Sequence, residues 1–266
     1  REKKIIREKC KSEDGKNLVF MVGFPRSGTT LLDTILRSHK DIQVLEELPM
    51  VSKMEAAVPG KNTIEKLEEM NKGDIQAAQQ AYLKEARKHV DFKRSKIVVD
   101  KLPLNLAEAA LISKIFPRSK FLFVCRHPLD AVLSCFMQNF KLNEAMSNML
   151  ELDDIVKLYD NVMDIFYLAV EGYSLDIHVV KYEDLIEDME KEVSTTLKFM
   201  DLQWDEEVLH YQKTALKRDE IRTPSYAQVI QPLYKNATYR WINYSHELQA
   251  YKSVLEKWVQ KFSYEL

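Results

Sequence analysis

Five short apolar runs recur along the chain, separated by longer stretches of helical spacing. They are LVFMVG (Leu18 to Gly23), IQVLEE (Ile42 to Glu47), KIVVD (Lys96 to Asp100), FLFVCR (Phe121 to Arg126) and IHVVKY (Ile177 to Tyr182). Apolar runs of this kind suit strands buried on both faces, and the helical stretches between them predict a parallel five-stranded sheet flanked by helices, an α/β fold. Ligands of such sheets gather beyond the carboxyl ends of the strands. Each run ends on or beside a polar or special residue: Gly23, Glu46 with Glu47, Asp100 with Lys101, Arg126, and Tyr182. These residues are expected to meet at one edge of the sheet.

Between the second and third runs, Met50 to Lys93 reads as a solvent-facing helix pair inserted into the sheet order, at about residues 50–95. Its segment GDIQAAQQAYLKEA has the spacing of half a tetratricopeptide repeat, but no second copy follows at the period of about 34 residues that an array needs. Asp153 to Val170 has helical periodicity, with its aromatics placed as core. The tail, His210 to Leu266, reads as a loop followed by a helix over SHELQAYKSVLEKWVQKF. Residues 18–266 are thus expected to form one domain, preceded by a charged segment, 1–17, compatible with the end of a longer chain.

Composition narrows the setting. A chain of 266 residues with a formal charge of −2 gives no global reason to bind nucleic acid, so any positive site must be local. Three cysteines, Cys10, Cys125 and Cys135, do not make a disulfide framework, and no Cys/His cluster has metal-ligand spacing. A reducing, cytoplasmic setting is the favoured expectation. No apolar run approaches the roughly 18 residues of a transmembrane helix, and the charged N-terminus does not read as a signal peptide.

The first run opens into GFPRSGTT, whose Gly-x4-Gly spacing bends a strand into a helix so that backbone N–H groups converge on an oxyanion. Arg26 adds a fork of donors, and Ser27, Thr29 and Thr30 add hydroxyls around Gly28. Thr29 stands where a nucleoside triphosphatase carries lysine; without that lysine a triphosphate forgoes a charge-assisted bond of roughly 1.5–3 kcal/mol. A smaller, less charged group fits better. A second cluster, VCRHPLDAVLSCF, places Arg126 at a strand end and Ser134 eight residues on, a pair suited to a phosphate monoester if the chain turns back into a helix.

PRSGTTLL after a strand, followed by RHPLDAVLS at a later strand end, resembles the two phosphate-binding elements of sulfotransferases that use 3′-phosphoadenosine 5′-phosphosulfate (PAPS). SHKDIQVLEELP, DKLPLN, VVKYEDLI and TPSYAQVIQPLYKNATYRW extend the likeness to tyrosylprotein sulfotransferases and to bacterial sulfotransferase domains associated with tetratricopeptide repeats. The resemblance implies that Arg26, Ser27, Gly28, Thr29 and Thr30 wrap the 5′-phosphosulfate, which needs no metal. It implies further that Arg126 and Ser134 take the 3′-phosphate, that Tyr182 lies by the nucleotide, and that the loop after Ser225, with Tyr234 and Arg240, closes over it. Glu47 matches the acidic base, Lys101 a lysine near the transferring group, and Ser225 an assisting hydroxyl. The implied reaction moves a sulfuryl group from PAPS to an acceptor hydroxyl and leaves PAP. The acceptor class stays open among protein tyrosine, sugar, lipid and small phenol, as does a homodimer.

Two positions depart from that pattern. Glu46 stands where the family has glycine, and Pro49 with Met50 stand where the animal tyrosine enzymes carry basic residues. If the stretch stays extended, side-chain alternation points Glu46 and Glu47 to opposite faces, with Glu47 facing the site. Two other classes stay in view. One is a P-loop kinase or nucleotide hydrolase, in which Asp100 would hold magnesium; the other is a non-catalytic binding module that keeps the fold.

Overall fold

The protein is described by a computed structural model over residues 15–92, 95–140, 146–216 and 238–266. Five strands form one sheet: β1 (Leu18–Gly23), β2 (Ile42–Glu46), β3 (Ile97–Lys101), β4 (Lys120–Cys125) and β5 (Asp176–Lys181), in the order β2-β3-β1-β4-β5 with every pairing parallel. All five expected strands are present, within a residue or so at each end. Side-chain alternation along β1 sends Leu18, Phe20 and Val22 into one apolar core and Val19 and Met21 into the other, so the sheet is covered on both sides. β5 departs from this pattern: it forms one of the two edges, and Val179 is 43% exposed.

The first crossover helix is α1 (Thr29–Arg37). Between β2 and β3 stand three helices, α2 (Met50–Ala56), α3 (Thr63–Glu69) and α4 (Lys72–Ala86), instead of a helix pair. Nor are they simply solvent-facing. Met50, Val51 and Met54 of α2 and Ala78, Tyr82, Leu83 and Ala86 of α4 are buried in the core that also holds Phe20. The extra helix arises because Asn62 and Asn71 each accept backbone N–H bonds at a helix start, Asn71 in a capping box with Asp74, which divides the segment into separately capped pieces.

Among the described residues the further helices are α5 (Ala109–Ile115), α6 (Pro128–Phe136), α7 (Leu152–Tyr173), α8 (Tyr182–Glu187), α9 (Met189–Phe199), α10 (Tyr211–Leu216) and α11 (Lys252–Lys261). α7 extends the expected helix at both ends, and its Tyr159 and Phe166 are core, as the periodicity requires. The terminal helix is shorter than expected: Arg240–Tyr244 and Gln249–Tyr251 form 3-10 turns, and regular helix begins only at Lys252. Among the described residues, no helix is long and apolar enough to cross a membrane.

Candidate active site

The carboxyl ends of β1, β2, β3 and β4 bring two groups of side chains to one edge of the sheet. The first is built on the loop after β1. Arg26 has a φ of 68° and Gly28 a φ of 99°, and α1 then starts at Thr29 with no side-chain cap. The first N–H groups of a helix have no carbonyl partner within the helix, so this end presents donors and the positive pole of the helix dipole. Ser27, Thr29 and Thr30 are buried around it.

Close packing shapes the loop from behind. A Cβ on Gly28 would lie 2.5 Å from Cδ2 of Tyr182, so glycine is required there by contact as well as by conformation. Cys135 on α6 donates its thiol to the carbonyl of Pro25 at 3.3 Å. Burial pushes that thiol up to about 12, so at neutral pH it stays protonated and acts as a donor, with no nucleophilic character.

Three more residues close the cradle. Arg26 Nε donates to Ser134 Oγ at 3.2 Å, which joins the two expected anion-binding elements directly. Arg126 Nη1 donates to the carbonyl of Arg26 at 3.2 Å, and its guanidinium lies 5.1 Å from the centre of the Tyr182 ring. Asp130, one helical turn along α6, sits 3.6 Å from Arg126 Nη2 and also accepts the backbone N–H of Trp241 at 2.9 Å. Arg26, Ser134, Arg126 and Tyr182 are thus brought together as expected from the motifs. Arg240 is not seated on this loop: it is exposed, and its guanidinium contacts the sulfur of Met137 at 3.6 Å. Ser225 and Tyr234 lie outside the described residues.

The second group is acid and base. Lys101 ends β3, fully buried, and its register partner on β2 is Glu46. Lys101 Nζ donates to Glu47 Oε1 at 2.9 Å and to Glu46 Oε1 at 3.2 Å. The expectation that the two glutamates face opposite ways is therefore wrong. β2 ends at Glu46, and Glu47 adopts a φ of 50° while its N–H still bonds to the Lys101 carbonyl at 2.8 Å. That left-handed turn cancels the strand alternation and folds Glu47 back over the same ammonium. A non-glycine residue held there costs of order 1–3 kcal/mol, a strain that functional sites often carry.

Asp100 takes no part in either group. It is buried on the opposite side of β3, accepts the Tyr82 hydroxyl at 2.8 Å, and burial lifts its carboxyl from 3.8 to about 7. A carboxyl buried this fully and bonded to the Tyr82 hydroxyl is poorly placed for the magnesium-binding role the kinase reading gives it. Asp130, Arg37 and Glu183 were not among the expected site residues. Glu183 accepts the His127 N–H at 3.0 Å and the Tyr264 hydroxyl at 2.6 Å, fixing the start of α6 just beyond Arg126. The four-residue spacing of Arg126 and Asp130 was a legible signal; the Glu183 contacts, across 56 and 81 residues, were not. His127 is packed against Trp241 with ring centres 4.9 Å apart, in keeping with a packing role.

A Gly-rich strand-to-helix loop, an arginine at a neighbouring strand end and a lysine with carboxylates at the next strand form the pattern to which comparison with known proteins adds a lineage. Residues 19–206 match the model of the sulfotransferase family. The chain belongs to that family. It is 30% identical over 270 residues to an uncharacterized protein of Aquifex aeolicus and 28% identical over 240 residues to protein-tyrosine sulfotransferase 1 of Danio rerio. Those alignments cover 97% and 85% of this chain but 34% and 65% of the relatives, so the chain spans less than two thirds of the length of either. Among solved structures, the sulfotransferase domain of the Synechococcus PCC 7002 olefin synthase matches with a TM-score of 0.62 at 16% identity, covering 97% of this chain and 98% of that one. A mouse sulfotransferase solved with PAP matches with a TM-score of 0.50 at 15% identity, covering 91% of this chain and 84% of that one. The solved structures support the fold; the family match supplies the lineage.

Proposed function

We propose that this sulfotransferase-family chain transfers a sulfuryl group from PAPS to an acceptor hydroxyl, releasing PAP. The observation that carries the reading is the joining of Arg26, Ser134 and Arg126 into one set at the same edge of the sheet as the Lys101–Glu47 pair. PAPS fits the residues present: it offers one anionic group to the helix start and a separate phosphate to an arginine and a hydroxyl, and the site supplies both kinds of donor. When bound, PAPS supplies an activated sulfuryl group on a good leaving phosphate.

The chain's part is positioning and charge stabilisation, the main demands of a loose transfer of this type. The N-terminus of α1, with Ser27, Thr29 and Thr30, holds the reacting end. Arg126 and Ser134 hold the far end, and Tyr182 packs the loop between them. Glu47, the more exposed of the two acids at 28% of its side chain, accepts the proton of the acceptor hydroxyl at a carboxylate oxygen. Lys101 stabilises the negative charge that develops on the leaving side. Ser225, Tyr234 and Arg240 are proposed to complete the closure on the same resemblance that assigns the others.

The acceptor is expected to be a hydroxyl, and the zebrafish relative makes a tyrosine phenol the first to try. The deciding experiment incubates the protein with PAPS in EDTA against tyrosine peptides, sugars, lipids and small phenols, followed by mass spectrometry. The expected result is a product heavier by one SO3. Magnesium-dependent consumption of ATP, with no sulfated product from PAPS, would establish the nucleotide hydrolase instead.

A further inference from the structure

The geometry points to Glu46 as a positioning residue that keeps Lys101 in place while Glu47 gains its proton; this rests on the transfer reading above. The three groups form an ordered line. Glu47 is the member nearest solvent, Lys101 is wholly buried, and Glu46 is 8% exposed. Behind Glu46 stands Arg37, whose Nη2 lies 3.9 Å from Glu46 Oε2. Arg37 is itself fixed: its Nε and Nη2 reach Asp33 Oδ1 at 3.0 and 2.9 Å, and its Nη1 donates to the Val44 carbonyl at 3.2 Å. Glu46 therefore ties a lysine at the end of β3 to a guanidinium anchored on α1 and β2.

This arrangement matters at the moment of proton transfer. An ammonium has three donors in tetrahedral directions, and Glu46 and Glu47 take two of them, which leaves the direction of the third determined. When Glu47 accepts the acceptor proton it becomes a neutral acid and ceases to be a charged partner of Lys101. The new bond joins the acceptor oxygen to sulfur, the bond from sulfur to the phosphate oxygen breaks, and that electron pair leaves with the phosphate. Through this step Glu46 keeps its contacts to Lys101 and Arg37, and is the partner that still orients the buried lysine. Without it, Lys101 would hold one weakened partner, and its charge would shift from the place where the leaving oxygen needs it. Misplacement of about an ångström costs on the order of a hundredfold in rate.

The test combines kinetics with a measurement on ligand-free protein. Glu46→Ala is expected to lower kcat by about ten- to a hundredfold while KM for PAPS changes by about twofold or less. Glu46→Gln, which keeps the shape and serves if the alanine variant fails to fold, should lose less. In a Lys101→Ala background Glu46→Ala should add almost nothing, because both changes then remove one device. In the free protein, the 15N ammonium resonance of Lys101 should be visible in the wild type and lost to fast exchange with water in Glu46→Ala. Wild-type kcat in both Glu46 variants, a full additive loss in the Lys101→Ala background, or an unaltered ammonium resonance would each overturn the inference. Failure of the wild type to sulfate any acceptor would instead sink the transfer reading, and the ammonium resonance would still decide whether Glu46 holds Lys101.

Discussion

At the scale of single residues, the two glutamates differ by one torsion more than by chemistry. Glu46 is the last residue of β2 and projects with the strand; Glu47 follows with a φ of 50° and reaches the same lysine from the solvent side. Of the two, Glu47 is the more open to solvent, which is why the proposed base is Glu47. Removing a positioned base typically costs about 10²–10⁴ in rate. Glu47→Gln is expected to lose that much in kcat, measured by steady-state sulfation, with PAP affinity by calorimetry within about threefold of wild type, because the amide preserves volume and leaves the Arg126 end untouched. A parallel loss of PAP affinity would show that Glu47 serves to build the nucleotide site.

Elements explain why the loop has one shape. The turn from β1 to α1 is gripped by α8, which carries Tyr182, and by α6, which carries Ser134 and Cys135. Gly28→Ala would force a side chain into a conformation costing roughly 1–3 kcal/mol and would also displace the Tyr182 ring. The expected outcome is a lower melting temperature together with weakened PAP binding; unchanged binding would mean that the loop can relax without losing its donors. On the other side of the sheet, Asp100 links β3 to α4 through the Tyr82 hydroxyl. Its folded carboxyl titrates at about 7 against 3.8 for the exposed group, so the folded state holds this proton more tightly. The associated stability is intact below the lower value and drains away as pH rises through the upper one, by up to roughly 4 kcal/mol. Asp100→Asn cannot ionise, and its melting temperature should exceed that of wild type at about pH 8 and converge with it near pH 4. Parallel pH profiles for the two proteins would contradict the buried-acid account.

The whole molecule carries little net charge, −2, so its affinity for an anion must come from a local concentration of donors. Those donors arise from the loop after β1 and from the β4-to-α6 segment, 100 to 108 residues further on in the chain, and β1 and β4 are neighbours in the sheet. A ligand that bridges them binds the folded chain alone and stabilises all of it. PAP at a hundredfold excess over its dissociation constant should add about 2.7 kcal/mol to the unfolding free energy, visible as a rise in melting temperature. Arg126→Ala should lose most of that rise. A full shift in the variant would move the second anion site away from Arg126.

What the sequence determined by itself is whatever depends on near neighbours. Apolar runs marked all five strands, four of them because a strand buried on both faces needs an unbroken apolar segment; the Gly23-to-Gly28 spacing marked the loop, because turn geometry is local; and the motifs around Arg26, Arg126 and Lys101 pointed to one edge, because parallel strands share a direction. Tertiary structure decided the rest. The caps at Asn62 and Asn71 that divide the residues between β2 and β3 into three helices are local, but the burial of α2 and α4 in the core that holds Phe20 depended on packing against the sheet. The convergence of Glu46 and Glu47 on Lys101 depended on a single left-handed residue at the strand end and on the β2–β3 register, 55 residues apart in the chain. Alternation along a strand is a rule about the strand's interior. Just past its last residue, Glu47 keeps one bond to the ladder but leaves the extended conformation, and the alternation no longer holds.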